Sequence, residues 1–177
     1  MTLTSEISIR ATEPDAATKG WAVIRAGQEE LLAGLRPKVA LLAELELGAD
    51  AREAALATLT DYCAGPVRRH LTATDRALYA AAADAPETRL LIRALRTAAS
   101  ALDEDIDTLT RIDDARRAKA VARNIEARLT TLLAVEQAVL LPALAASSGT
   151  ELAARAVDFT KLRDGDQPSP AGSDRST

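Results

Sequence analysis

Three polar residues interrupt apolar stripes that otherwise repeat with helical spacing. Gln28, His70 and Glu136 each stand where the pattern calls for a buried side chain, near the middle of three different predicted helices. A buried polar group without a partner costs roughly 1–3 kcal/mol, and a buried charge costs more. We therefore expect the three side chains to meet, either as a hydrogen-bonded layer or as a ligand site.

Imidazole and carboxylate groups bind transition metals and also move protons in catalysis. His70 is the only histidine in the chain, and a mononuclear metal centre of His70 and Glu136 with either Asp75 or Asp103 is one interpretation, because two or three protein ligands plus water suffice for some metals. In another, His70 acts as a base that Glu136 orients. No nucleophile or oxyanion motif accompanies them, and Cys63 on the same stripe is expected to be a buried, inert thiol.

Four long helices and one short helix are predicted to position these residues. Alanine and leucine dominate the composition and aromatic residues make up 2%, which predicts an all-α fold because strand-forming residues are scarce. Gly48, Pro86 and Asp113 or Asp114 separate apolar stripes of helical spacing. The predicted helices cover about residues 15 or 21 to 47, 50 to 83, 86 to 111, 113 to 147 and 150 to 163.

Amphipathic helices joined by short connections predict an antiparallel up-down-up-down four-helix bundle over residues 15–147. HLTATDRALYAAAA in the second helix aligns with LLAVEQAVLLPALA in the fourth, so we expect two helix pairs related by a pseudo-twofold axis. Outside the bundle we expect a flexible N-terminus over 1–14, a short C-terminal helix over 150–163 and a polar, disordered tail over 164–177.

Glycine and proline are concentrated in the first helix. Gly20, Gly27, Gly34 and Pro37 all lower helix propensity, so its first half is expected to be the most mobile part of the bundle. Pro37, together with Pro66 in the second helix, predicts a kink.

Charge and cysteine content limit the classes of partner. The net charge is −4 with acidic and basic residues interleaved, so we predict no nucleic-acid partner. A single cysteine cannot form an intramolecular disulfide, which favours a reducing compartment. The N-terminus resembles no signal peptide, and no apolar run near ~20 residues was found. We therefore predict a cytoplasmic protein with no membrane partner, and the oligomeric state is left open.

Two stretches of the chain resemble bacterial hemerythrin-like (HHE cation-binding) domains. YCAGPVRRHLTATDRALYAAAA looks like the second helix of that family, and LLAVEQAVLLPALAA looks like its fourth, which ends in Leu-Leu-Pro-Ala-Leu. GQEELLAGL and LIRALRTAASALDEDIDTL fit the other two helices. The resemblance covers about residues 21 to 144 and implies a four-helix bundle with a di-iron centre between its helices.

The family's metal ligands are mostly replaced at the matching positions. The resemblance implies histidines where this chain has Gln28, Ala99 and Leu132, and a carboxylate where it has Thr74, whereas His70 and Glu136 keep the family's residue types. One histidine and one glutamate cannot hold two irons. The residual metal ligands would be His70 and Glu136. The residues that would line a polar core layer or pocket are Gln28, His70, Thr74, Ala99, Leu132 and Glu136.

We therefore predict a hemerythrin-like protein that has lost its di-iron site and has no catalytic residues. It would act as a binding, regulatory or structural module for a small molecule or protein partner that the sequence does not identify. No cofactor is expected. The alternative is a residual mononuclear metal-binding protein, with iron as its metal and a role in oxygen or redox chemistry.

Overall fold

The computed structural model describes residues 16–44, 48–112, 114–147 and 149–165. These residues form five helices and no strand, so the predicted all-α class is confirmed for them. The predicted flexible segment 1–14 and nearly all of the predicted tail lie outside the described residues.

Helices α1, α3 and α5 are continuous, whereas α2 and α4 contain π-helical turns. Helix α1 is Ala16–Ala43, α3 is Arg89–Leu109 and α5 is Gly149–Asp164. Helix α2 covers residues 49–82 as Ala49–Tyr62, the π turn Cys63–Val67, Arg68–Thr74, the π turn Asp75–Tyr79 and Ala80–Ala82. Helix α4 covers residues 115–147 as Ala115–Val135, the π turn Glu136–Leu140 and Leu141–Ser147.

Two of the predicted helix boundaries need correction. Gly48, expected to end the first helix, instead precedes α2 as its N-cap in an extended conformation. Pro86, expected near the first helical position, lies in a turn, and α3 begins three residues later. Thr88 is the last residue of this turn. Its hydroxyl donates to the carbonyl oxygen of Ala82 at the end of α2 and thereby stabilises the turn.

Helix α5 is part of the same hydrophobic core as the long helices. It packs along α1 and against the middle of α2, while α4 packs against both α1 and α3. Leu152, Ala156 and Phe159 of α5 are all buried in this core. The short C-terminal helix therefore closes the core between α1 and α2.

Glycines on α1 leave room for the backbone and side chains of α5. A Cβ atom on Gly20 would lie 3.0 Å from the Ala153 Cα and from the Leu152 carbonyl oxygen of α5. A Cβ atom on Gly27 would lie 3.3 Å from the Phe159 ring. The glycines that were expected to weaken α1 are thus sites of close packing, and α1 is helical throughout despite Pro37.

Pro66 is accommodated by the first π turn of α2, Cys63–Val67. Proline lacks an N–H and crowds the preceding turn, and a π turn is one of the local adjustments that relieve such a conflict. Tyr62, just before this turn, donates its hydroxyl to the Leu31 carbonyl oxygen at 3.0 Å and thereby ties α2 to α1.

One helix of the described residues, Arg117–Ala146, is long and apolar enough to cross a membrane. Its apolar window has a mean hydropathy of 1.7, and 33% of that window is buried inside the protein. The expectation from the sequence, that no apolar run approaches the length of a membrane span, did not include this helix. Core helices of water-soluble proteins have the same length and composition. The cytoplasmic location and the absence of a membrane partner stay predictions.

Replacing Phe159 with alanine is expected to destabilise the whole protein. The ring is fully buried, and removing a buried phenylalanine side chain costs roughly 3–5 kcal/mol in lost burial and cavity formation. Urea unfolding measures the effect. The matched control is Val157→Ala on the same helix, where the side chain is 53% exposed and the expected change is below about 0.5 kcal/mol. Equal effects at the two positions would show that α5 does not share the core.

Candidate functional site

Glu136 lies at the centre of a buried hydrogen-bonded layer that joins three helices. Its side chain is 1% exposed. The Gln28 amide on α1 donates to Oε2 of Glu136 at 2.6 Å, and the Tyr79 hydroxyl on α2 donates to Oε1. Gln137 donates to the Gln28 amide oxygen at 2.9 Å. Both carboxyl oxygens of Glu136 therefore have protein partners, as the cost of burial requires.

Tyr79 is the member of this layer that the sequence analysis missed. It lies in the π turn Asp75–Tyr79, and Glu136 begins the π turn Glu136–Leu140. A π turn holds more residues than an α-helical turn, so the buried stripe shifts around the helix. Ala77, Leu78 and Tyr79 are consequently buried in succession, which α-helical spacing does not predict.

Burial controls the protonation of this layer. It raises the pKa of Glu136 to about 7, although the bonds from Tyr79 and Gln28 favour the ionised form and act in the opposite direction. Burial and the neighbouring Glu136 carboxylate raise the pKa of the Tyr79 hydroxyl, so Tyr79 remains a donor. Glu136 is therefore a carboxyl group that changes charge near neutral pH inside the core.

His70 is buried but is not hydrogen-bonded to Gln28 or Glu136. Its ring lies edge-on to Phe159 with 5.2 Å between the ring centroids, and neither ring nitrogen has a hydrogen-bond partner within the described part of the chain. Burial, with a smaller effect from Arg163, lowers the pKa of His70 to about 4, so the imidazole is neutral at pH 7. Gln28 and Glu136 thus meet as expected. His70 does not join them, because α5 places Phe159 beside its ring.

The remaining predicted positions are divided between different surroundings. Thr74, one turn beyond His70, is buried, and no described residue forms a hydrogen bond with its hydroxyl oxygen. Ala99 is half-buried and faces a groove between α2 and α3. Leu132 is buried and lines a separate, largely apolar groove between α3 and α4. The six predicted residues therefore do not line one common pocket.

A groove with a cavity volume of about 700 Å³ separates α2 from α3. These two helices are not among the closely packed pairs, and charged side chains bridge them. Arg68 pairs with Asp103 at 2.6 Å and also with Asp107, and Arg96 pairs with Asp75 at 2.7 Å. The groove is lined by Arg68, Leu71, Thr72, Asp75, Arg76, Tyr79, Arg96, Ala99, Ser100, Asp103 and Glu104.

A di-iron centre does not fit these residues. The four positions where the resemblance implies further metal ligands hold Gln28, Thr74, Ala99 and Leu132. The Glu136 oxygens already accept hydrogen bonds from Gln28 and Tyr79. Asp75 and Asp103, considered as ligands of a single metal, pair with arginines across the groove. In the described part of the chain, no group of three or more His, Cys, Asp or Glu side chains is placed to hold a metal ion.

Cys63 is buried and unbridged. Burial raises the pKa of its thiol to about 12, which keeps the thiol protonated at neutral pH. This agrees with the expectation of an inert rather than a nucleophilic cysteine.

Comparisons of the chain with protein-family models, with curated proteins and with solved structures found no match.

The raised pKa of Glu136 predicts a specific pH dependence of stability. The folded protein keeps this proton up to about pH 7, whereas the unfolded chain releases it above its ordinary value of 4.5. The contribution of Glu136 to stability is therefore present below pH 4.5 and is lost as the pH rises through 7. In Glu136→Gln this loss is absent. The free energy of unfolding of the variant therefore rises relative to that of the wild type by at most about 3 kcal/mol as the pH increases from 4.5 to 7.

Urea unfolding at several pH values between 4 and 8 measures this difference. The glutamine can accept from Tyr79 and donate to a turned Gln28 amide, so the layer persists. Both proteins keep His70, whose opposite pH trend cancels in the comparison. Glu53→Gln, at an exposed position, is the control. A constant difference between Glu136→Gln and wild type across this range would contradict the raised pKa.

Proposed function

We propose that this chain is a hemerythrin-like four-helix bundle, built from α1 to α4 in up-down-up-down order, that has lost its di-iron site and binds a small molecule. In this proposal the groove between α2 and α3 is the ligand site. Helix α5 is an addition that closes the core on the other side of α2. The protein acts as a binding or regulatory module and not as a catalyst.

The observation that carries the proposal is the double role of Tyr79. This residue forms part of the groove wall, and its hydroxyl also donates to the buried Glu136 carboxyl. A molecule in the groove therefore lies against Tyr79, the one member of the polar layer that also lines the groove. Such a contact gives ligand binding a direct route to the packing of α1, α2 and α4.

The small side chain of Ala99 on α3 supports the same site. Ala99 stands where the resemblance implies a histidine, and it leaves space beside Tyr79. Six of the eleven lining residues of the groove are charged, and Leu71, Tyr79 and Ala99 add apolar surface, so the groove suits a polar or charged small molecule. Its cavity volume of about 700 Å³ lies within the range common for small-molecule sites.

A second candidate function is mononuclear metal binding at His70. The observation that favours it is that both nitrogens of this buried ring, and the nearby Thr74 hydroxyl, have no partner among the described residues. A neutral imidazole is the form that binds metals. Against it, Phe159 lies edge-on to the ring and Glu136 is already hydrogen-bonded to Gln28 and Tyr79.

Metal analysis separates the two candidates. Protein purified without a histidine tag is incubated with Fe²⁺, Mn²⁺ or Zn²⁺, freed of unbound metal by gel filtration and examined by elemental analysis. We expect far less than one metal ion per chain, with the same result for His70→Ala. Near-stoichiometric metal that disappears in His70→Ala would establish the second candidate instead.

Two adjacent alanines on α3 test the groove. Ala99 lines the groove between α2 and α3, and Ala98 lines the groove between α3 and α4, so Ala99→Phe and Ala98→Phe fill different cavities with the same side chain. A library of small soluble metabolites is screened by ligand-observed NMR. Binding to the proposed site is expected to weaken at least about tenfold in Ala99→Phe and to persist in Ala98→Phe.

The thermal melting of both variants shows whether they remain folded. Binders that are lost only in Ala98→Phe would move the site to the apolar groove, and a screen without any binder sensitive to Ala99→Phe would refute the proposal.

A further inference from the structure

A second cavity adjoins the groove at the end where α2 and α3 are connected. Its volume is about 350 Å³, and its wall contains three guanidinium groups, from Arg89, Arg93 and Arg96. The Thr97 and Ser100 side chains also line it, and no described carboxylate does. We refer to it as the arginine cavity. It shares Arg96 and Ser100 with the groove, so the two spaces form one continuous surface.

Most of the positive charge in the arginine cavity is not neutralised by the protein. Within the described residues, Arg89 and Arg93 form no ion pair or hydrogen bond through their side chains, and neither does Arg76 on the groove wall. Arg96 donates one N–H to Asp75 and keeps further donors, since a guanidinium carries five. Several donors therefore remain available to a ligand that enters from solvent.

This arrangement is unfavourable for α3 on its own. Arg89, Arg93 and Arg96 follow a spacing of four and three residues, so their charges lie on one face of the helix and repel. Arg89 also stands in the first turn of α3, where the helix dipole disfavours cations and no acidic residue is present. A bound anion would relieve this repulsion, because guanidinium groups favour oxyanions.

The opposite end of the groove has a different charge balance. There Arg68 is neutralised by Asp103 and Asp107, and Glu104 adds a further carboxylate. An anionic group is therefore repelled from that end and attracted to the arginine cavity. The middle of the groove, beside Tyr79 and Ala99, offers less charged surface to the rest of a ligand.

We propose that the arginine cavity binds the oxyanion group of a small molecule, either a phosphate or a carboxylate, and that the rest of the molecule extends along the groove past Ala99. This inference rests on the proposal that the groove is a ligand site and adds the chemical class of the ligand. Arg89 and Arg93 supply the charge that the protein leaves unpaired, and the Ser100 hydroxyl lies where the two spaces meet.

Isothermal titration calorimetry of the full chain tests this proposal, with pyrophosphate and citrate as the probes at constant ionic strength. The wild type is expected to bind at least one probe, and the tighter of the two identifies the type of oxyanion. The double variant Arg89→Gln/Arg93→Gln is expected to bind at least about tenfold more weakly. The control is Arg117→Gln/Arg123→Gln on α4, which removes the same charge from exposed positions and is expected to change the affinity less than about twofold.

Several outcomes would overturn the proposal. They are the absence of binding to both probes, equal weakening in the two double variants, and binding only to vesicles that contain phosphatidylglycerol. Should the double variant fail to fold, Arg93→Gln alone carries the same test. Neutral or cationic binders that are sensitive to Ala99→Phe, with no response to either probe, would refute the anionic class and leave the groove as the site. The absence of both responses would refute both proposals.

Discussion

The burial of a single carboxyl group constrains three of the five helices. Glu136 is 1% exposed, and both of its oxygens accept hydrogen bonds, from Gln28 on α1 and Tyr79 on α2. An unsatisfied carboxyl group at this depth would cost several kcal/mol, so α1, α2 and α4 must keep their relative positions for the layer to form. The layer is directional, unlike the apolar contacts around it, and it therefore specifies register as well as proximity. This role is the one best attested for buried polar groups in helical assemblies.

Much of the helical framework could be predicted from the sequence, because it depends on local properties. Composition and the spacing of Ile24, Leu31 and Leu35 identify a helix and its buried face, and all three are buried. Gln28 and Glu136 were predicted to meet on the same reasoning, and they do. Such inferences succeed because a helix repeats with a fixed period and because a buried polar group needs a partner.

The rest depends on packing between distant segments, which local patterns do not contain. Nothing in the spacing of α5 predicts that Phe159 meets His70, and that contact decides the environment of the only histidine. Gly20 and Gly27 were interpreted by their helix propensity, whereas their actual effect is to let α5 approach α1. Tyr79 was missed because the π turn in which it lies changes the spacing of the buried face. The separation of α2 from α3, and hence the groove, follows from packing alone. The resemblance to hemerythrin-like domains remains a hypothesis, since the comparisons neither support nor oppose it.

The π turns also determine where the length of these helices can vary. The π turn Asp75–Tyr79 follows His70, which faces α5. It ends with Tyr79, whose hydroxyl faces Glu136 on α4. A deletion of one residue in an α-helical part of α2 would rotate every following residue by about 100° and take Tyr79 away from Glu136. A deletion inside the π turn removes the extra residue that this turn accommodates, so the following residues keep nearly the same orientation. The same holds for the turn that contains Glu136 in α4. Substitutions at the surface of these helices leave the orientation of the buried residues unchanged, and single-residue deletions leave it nearly unchanged only within the π turns.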